Sequence, residues 1–147
     1  MVYELSARPW QYDEVFELAA SAPETTLILG HLGKPRLSPG PQPDWSAGIT
    51  RLAALPNLLC KLSAPLDGPE SPPYQASTMR PIVRHVVENF GFDRVIFGSN
   101  FPVNLVSVTC EGWLRMLDAF LGDASAEELD RLYRANAARV FRLGPDA

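Results

Sequence analysis

The sequence predicts an α/β fold built on a parallel sheet, amounting to half of an eight-stranded β/α barrel. Three observations predict it. First, short apolar runs alternate four times with stretches of helical period, at the ~30-residue spacing of a β-α-β unit. Such alternation gives right-handed crossovers and a parallel sheet. Second, the long loops follow strands, at residues 30–43, 63–76 and 98–109, whereas the return turns at 22–24 and 91–93 are short. Strand-to-helix loops form the binding face of such folds. Third, the chain has 147 residues, and a complete barrel takes about 250. An open doubly wound sheet could also hold four strands. Both outer strands here read as apolar, however, and need cover.

The elements follow in order. Residues 2–7 read as a strand. Pro9 suits a first helical turn, and residues 12–22 place Val15, Phe16, Leu18 and Ala19 on one helical face. Residues 25–29 form a β-branched and leucine run, closed by Gly30-His31-Leu32-Gly33. A loop rich in Pro and Gly spans 34–43, and Asp44 is the expected N-cap of a helix to residue 55. Residues 58–62 are the third strand, and a second Pro-rich loop covers 64–74. Residues 77–90 carry a helical stripe of Met79, Ile82, Val83, Val86 and Val87. Residues 94–97 are the fourth strand. A helix over 112–121 stops at Gly122. Ser125-Ala126-Glu127-Glu128 forms a capping box for a last helix ending near Leu143.

Composition narrows the function. Hydrophobic residues are 46% and charged residues 20%, a globular balance. The formal net charge of −4, with no segment concentrating Lys and Arg, argues against nucleic-acid or anionic-membrane partners. No run reaches the ~18 apolar residues of a membrane span, and the first residues, with no basic run followed by an apolar one, are not expected to act as a secretory leader. The two cysteines, Cys60 and Cys110, read as free thiols packed as small hydrophobes, so a cytoplasmic location is expected. Residues 1–147 are expected to form a single domain, starting within a fold.

Each strand ends in polar residues that would converge on one face of a parallel sheet: Glu4, Ser6 and Arg8, then His31, then Lys61 and Ser63, then Ser99 and Asn100. His31 reads as a metal ligand or acid/base group, or as a histidine bonded to a loop carbonyl. Lys61 either points into a barrel mouth, where it would bind a carboxylate or oxyanion, or lies along the surface. Arg8 has the same two readings. His85 reads as a surface or half-buried helical residue. Trp10, Trp45 and Trp113 read as core or helix-packing residues. No His-x-His, CxxC, GxSxG, P-loop or GxGxxG occurs, and two histidines cannot build a multi-histidine metal site from one copy.

Four blocks then align with one family. Leu27-Ile28-Leu29-Gly30-His31-Leu32-Gly33-Lys34-Pro35, Cys60-Lys61-Leu62-Ser63, Phe97-Gly98-Ser99-Asn100-Phe101-Pro102-Val103 and Asn136-Ala137-Ala138-Arg139-Val140-Phe141 resemble the amidohydrolase-related family of lactonase-like TIM-barrel hydrolases. Arg8-Pro9-Trp10-Gln11 is in place too. The resemblance implies the C-terminal half of the barrel, strands five to eight with a C-terminal helix, as a fragment of a longer barrel. It implies a hydrolase opening a small lactone or related ester-like bond, with a sugar lactone or small carboxylate as partner. His31 and Asn100 become the catalytic candidates, and Arg8, Lys61 and Ser63 the substrate-binding ones. His31 is at most a partial metal site; zinc or manganese would bind only if the other barrel half supplied ligands. The family more often carries Asp at positions 30 and 100, where this chain has Gly30 and Asn100. An amide can orient a water but cannot take its proton. The fragment alone is therefore expected to be weak or inactive. The alternative is a non-catalytic remnant or a self-associating half-barrel, a homodimer through exposed sheet edges.

Overall fold

A computed structural model describes residues 1–40, 42–66 and 74–144. Four strands, β1 (Val2–Leu5), β2 (Thr26–Leu29), β3 (Leu58–Ser63) and β4 (Val95–Gly98), pair in parallel and in chain order. That order decides between the two expected architectures. A doubly wound sheet reverses its strand order partway, whereas a barrel adds each strand beside the last. The sheet is one half of a β/α barrel.

The main helices are α1 (Tyr12–Ser21), α2 (Pro43–Ala53), α3 (Ala76–Phe90) and α4 (Cys110–Phe120), followed by α5 (Ala126–Asp130) and α6 (Asn136–Phe141). Side chains alternate between the faces of each strand. Leu27, Leu29, Leu58, Cys60, Leu62 and Val95 share one core with Val15, Ile49, Leu52, Val83, Val86, Trp113 and Leu117 from the helices. Burying one such aliphatic side chain is worth about 1.5–3 kcal/mol, so this face dominates stability. The other face is a smaller cluster of Ile28, Leu59 and Ile96, covered by Val140 of α6. Lys61 and Ser63 follow Leu59 at two-residue steps, on this second face and toward the carboxyl ends. In register, Glu4 faces Ile28, Ile28 faces Leu59, and Ser63 faces Gly98.

Several boundaries differ from expectation. β1 stops at Leu5, where Gly30 N–H still donates to Leu5 O at 2.8 Å; residues 6–8 leave the ladder. Gln42, not Asp44, is the N-cap of α2, with Pro43 in the first turn. Proline suits that position because its missing N–H would have been unpaired. Asp44 lies inside the first turn, where its charge still favours the helix dipole. α4 starts two residues earlier than expected, at Cys110, with Thr109 Oγ1 accepting from Gly112 N–H at 3.0 Å. The Ser125–Glu128 capping box forms as expected. Between α5 and α6 the chain makes a π-helical turn, Arg131–Ala135. It delivers Asn136, whose Nδ2 donates to Phe92 O at 2.7 Å and Val95 O at 2.9 Å, tying the last helix to the start of β4. Trp10 departs from its core reading and is 73% exposed, while Trp45 and Trp113 are buried. His85 is half-buried against Trp45, with ring centroids 5.2 Å apart. Most of the second Pro-rich loop, residues 67–73, lies outside the described residues. Among the described residues, no helix is long and apolar enough to cross a membrane.

Candidate active site

The chain leaves β2 through a left-handed turn. His31, Leu32, Gly33 and Lys34 have φ of 54°, 55°, 68° and 53°. Three of these are not glycine, and each such residue costs about 1–2 kcal/mol in that region. The surroundings must hold the turn against this cost. Its own bonds are short-range, Gly33 N–H to Gly30 O at 3.0 Å and Lys34 N–H to His31 O at 2.8 Å. Two buried aromatics grip its carbonyls from the helix side. Trp45 Nε1 donates to Leu32 O at 2.9 Å, and the Tyr12 hydroxyl donates to Gly33 O. Burial pushes the Tyr12 phenol up, which keeps it a donor. Gly33 is required twice: by its φ, and because a Cβ there would sit 2.9 Å from Ile49 Cδ1 and closer still to Tyr12 Oη. Such strain clusters at functional sites.

The turn presents His31 to the end of β3. Ser63, 1% exposed, places Oγ 3.1 Å from His31 N and 3.1 Å from His31 Nδ1. Ser63 has room because its neighbour is Gly98: a Cβ at 98 would lie 2.7 Å from Ser63 Cβ and 2.9 Å from Lys61 Cδ. Burial holds the His31 imidazole below its ordinary pKa, and Lys34 and Lys61 push the same way while Glu4 opposes. The ring is therefore neutral at neutral pH.

Asn100, at φ 61°, follows β4. Its Nδ2 donates to Ala64 O at 2.9 Å, tying the ends of β3 and β4 together. The acceptor Oδ1 is what remains for a water. His31, Asn100, Lys34, Leu66 and Val103 line one cavity of about 180 Å³. Whole ligand sites run to about 300–1,000 Å³, so this cavity alone is too small to be one.

Lys61 does not stand free. Its Nζ lies 2.6 Å from Glu4 Oε2. A paired ammonium is a poorer partner for a substrate anion than a single one. Arg8 lies apart from His31, over the Trp10 ring at 5.4 Å, in a separate cleft of about 270 Å³ with Lys34, Arg36 and Asp44. The structure therefore brings His31, Ser63 and Asn100 together, sets Lys61 against Glu4, and separates Arg8. Lys34 borders both cavities. The sequence reading gave it no role, although it stands in the same Gly-His-Leu-Gly-Lys run. A protein metal centre takes three or four ligands. Among the described residues no group of three or more His, Cys, Asp or Glu is placed to hold one, so these side chains do not fit a metal by themselves.

A sheet wound in one direction, with polar side chains gathered past the carboxyl ends of its strands, is one half of a β/α barrel. The family model described as amidohydrolase matches residues 4–143, and the chain belongs to that family. It is 30% identical over 141 residues to the uncharacterized protein y4mH of Sinorhizobium fredii, across 96% of this chain and 47% of that protein. It is 29% identical over 151 residues to the L-fucono-1,5-lactonase of Burkholderia ambifaria, across 97% of this chain and 50% of that protein. A crystal structure of an amidohydrolase from Burkholderia multivorans with bound zinc superposes with a TM-score of 0.85 at 29% identity, across 97% of this chain and 53% of that one. The chain spans about half the length of the curated relatives it matches.

Proposed function

We propose that this chain supplies one half of the active site of a lactone hydrolase. Water attacks the acyl carbon of a small lactone, the acyl–oxygen bond breaks, and a hydroxy acid leaves. His31 stabilises the oxygen that gains negative charge, and Asn100 Oδ1 orients the attacking water. Lys34, at the edge of the same cavity, adds positive charge for the developing oxyanion or a carboxylate. Lys61 and Arg8 move to the periphery of this reading, since Glu4 neutralises the first and the second faces another cleft. The observation that carries the reading is the shared cavity of His31 and Asn100. The lactonase named among the relatives supplies the substrate class, a sugar lactone. Among the described residues lining the cavity there is no carboxylate to take the water's proton, which passes to solvent instead, and a missing general base lowers the rate by ~10²–10⁴. Ring opening of a sugar 1,5-lactone, followed with a pH indicator, tests this. The reading predicts weak turnover that His31→Ala abolishes. Turnover indifferent to His31→Ala contradicts it. If zinc or manganese takes part, its ligands come from the other barrel half.

A second reading is favoured by the outer edges of β1 and β4, which pair with no strand among the described residues. Exposed Val2 and Tyr3 flank one edge, and exposed Phe101, Val103, Leu105 and Val106 follow the other. Here a second copy closes the barrel as a symmetric dimer. Light scattering then gives twice the 16.2 kDa chain mass; a stable monomer excludes it.

A further inference from the structure

The proton count at Ser63 fixes more than a contact. Among the described residues Ser63 Oγ has two hydrogen-bonding neighbours, His31 N and His31 Nδ1, each at 3.1 Å. The backbone N–H can only donate, so Oγ accepts there. The hydroxyl has one hydrogen left to place. If Nδ1 carried a proton, Oγ would accept twice, and its own hydrogen would meet no acceptor among the described residues, on a side chain 1% exposed. A buried donor without an acceptor costs about 1–3 kcal/mol. If Nδ1 is bare, the hydroxyl donates to it and every atom is satisfied. The neutral imidazole then keeps its proton on Nε2.

We propose that Ser63 is a positioning residue that fixes His31 as the Nε2–H tautomer, so that the ring offers a hydrogen-bond donor to the acyl oxygen. This rests on the reading above that His31 contacts the substrate. The left-handed turn and Ser63 act on the same ring from two sides: Trp45 and Tyr12 set where the backbone goes, and Ser63 sets which nitrogen carries the proton. The same arrangement explains why His31 is not the base. Nδ1 is occupied by the Ser63 hydroxyl, and Nε2 is already protonated. Lys34 and Lys61, facing the ring from the turn and from β3, disfavour the imidazolium, while Glu4 from β1 favours it; burial leaves the ring neutral.

The test uses the chain labelled with ¹⁵N-histidine, at pH 8, with two-bond ¹⁵N–¹H correlation spectra. Only two histidines contribute, and His31→Gln assigns them. His85 is an internal standard, because its Nε2 lies 2.9 Å from Ser46 O and must donate to that carbonyl. The proposal predicts that His31 shows the same pattern as His85, with a bare Nδ1 and a protonated Nε2. Ser63→Ala should shift the His31 nitrogens toward tautomer-averaged values and leave His85 unchanged. Ser63→Thr, which keeps a hydroxyl, should retain the wild-type pattern. A protonated Nδ1 in the wild-type chain overturns the proposal without any variant. So does a Ser63→Ala spectrum in which His31 is unmoved. No substrate is needed, so failure of the lactone reading shows separately, as a correct tautomer in a chain whose lactone turnover ignores His31→Ala.

Discussion

Glu4 and Lys61 sit on strands that do not touch, yet their side chains meet 2.6 Å apart across β2. Gly30, just past the strand between them, lies beside this bridge. A Cβ at position 30 would lie 3.6 Å from Glu4 Oε1 and 3.2 Å from Leu5 O. The carboxylate of Glu4 therefore borders the space that an acidic side chain at 30 would enter. Gly30→Asp should bring two carboxylates to one ammonium, whereas Gly30→Asn adds the same bulk without the charge. Urea unfolding midpoints of the two variants should therefore differ at pH 7. Equal midpoints would mean that the space is not shared.

The turn after β2 should be the most sensitive backbone of the site. Gly33→Ala combines a left-handed residue with a Cβ jammed against Ile49 and Tyr12. Together these cost about 2–5 kcal/mol. Trp45→Phe removes the donor to Leu32 O and strands a buried carbonyl, for about 1–3 kcal/mol. Urea unfolding checks both. A loss below ~0.5 kcal/mol for either, the range of a neutral surface change, would show that the aromatics do not hold the turn.

Acid should weaken the fold through His31. An unfolded histidine titrates near about 6.5, and burial keeps the folded ring below that value. Between the two values the unfolded chain binds the extra proton, so stability rises with pH across that window. It is lost as pH falls from about 6.5 toward the folded value. Wild type should lose more stability than His31→Gln between pH 8 and pH 5. Equal losses would place the His31 pKa at its unfolded value.

Much of this was legible in the chain. The β-α alternation and the loop lengths gave the parallel half-barrel, because burial against helices forces those periods on a sequence. His31, Ser63 and Asn100 could be named because strand ends are readable from where an apolar run stops. Their partnerships could not. Ser63 and His31 are 32 positions apart, and only the strand register brings them together. Lys61 gives no sign in the sequence of Glu4, which stands 57 positions away and two strands over. Trp10 reads as core from its type alone, but the chain past β1 leaves the sheet and turns it outward. The grip of Trp45 and Tyr12 on the turn was invisible, since no local pattern says which carbonyl a distant indole or phenol will meet.

The central claim is that His31 and Asn100 act on one substrate, with Asn100 standing where a proton acceptor would serve better. Asn100→Asp supplies that acceptor, at the cost of the Nδ2 bond to Ala64 O. The decisive measurement is hydrolysis of a sugar 1,5-lactone by the wild type, Asn100→Asp, and Asn100→Asp with His31→Ala. The account predicts a gain of ~10²-fold or more for Asn100→Asp, the scale of a restored general base, and loss of that gain without His31. An Asn100→Asp chain no faster than the wild type, or a gain that survives His31→Ala, would contradict it.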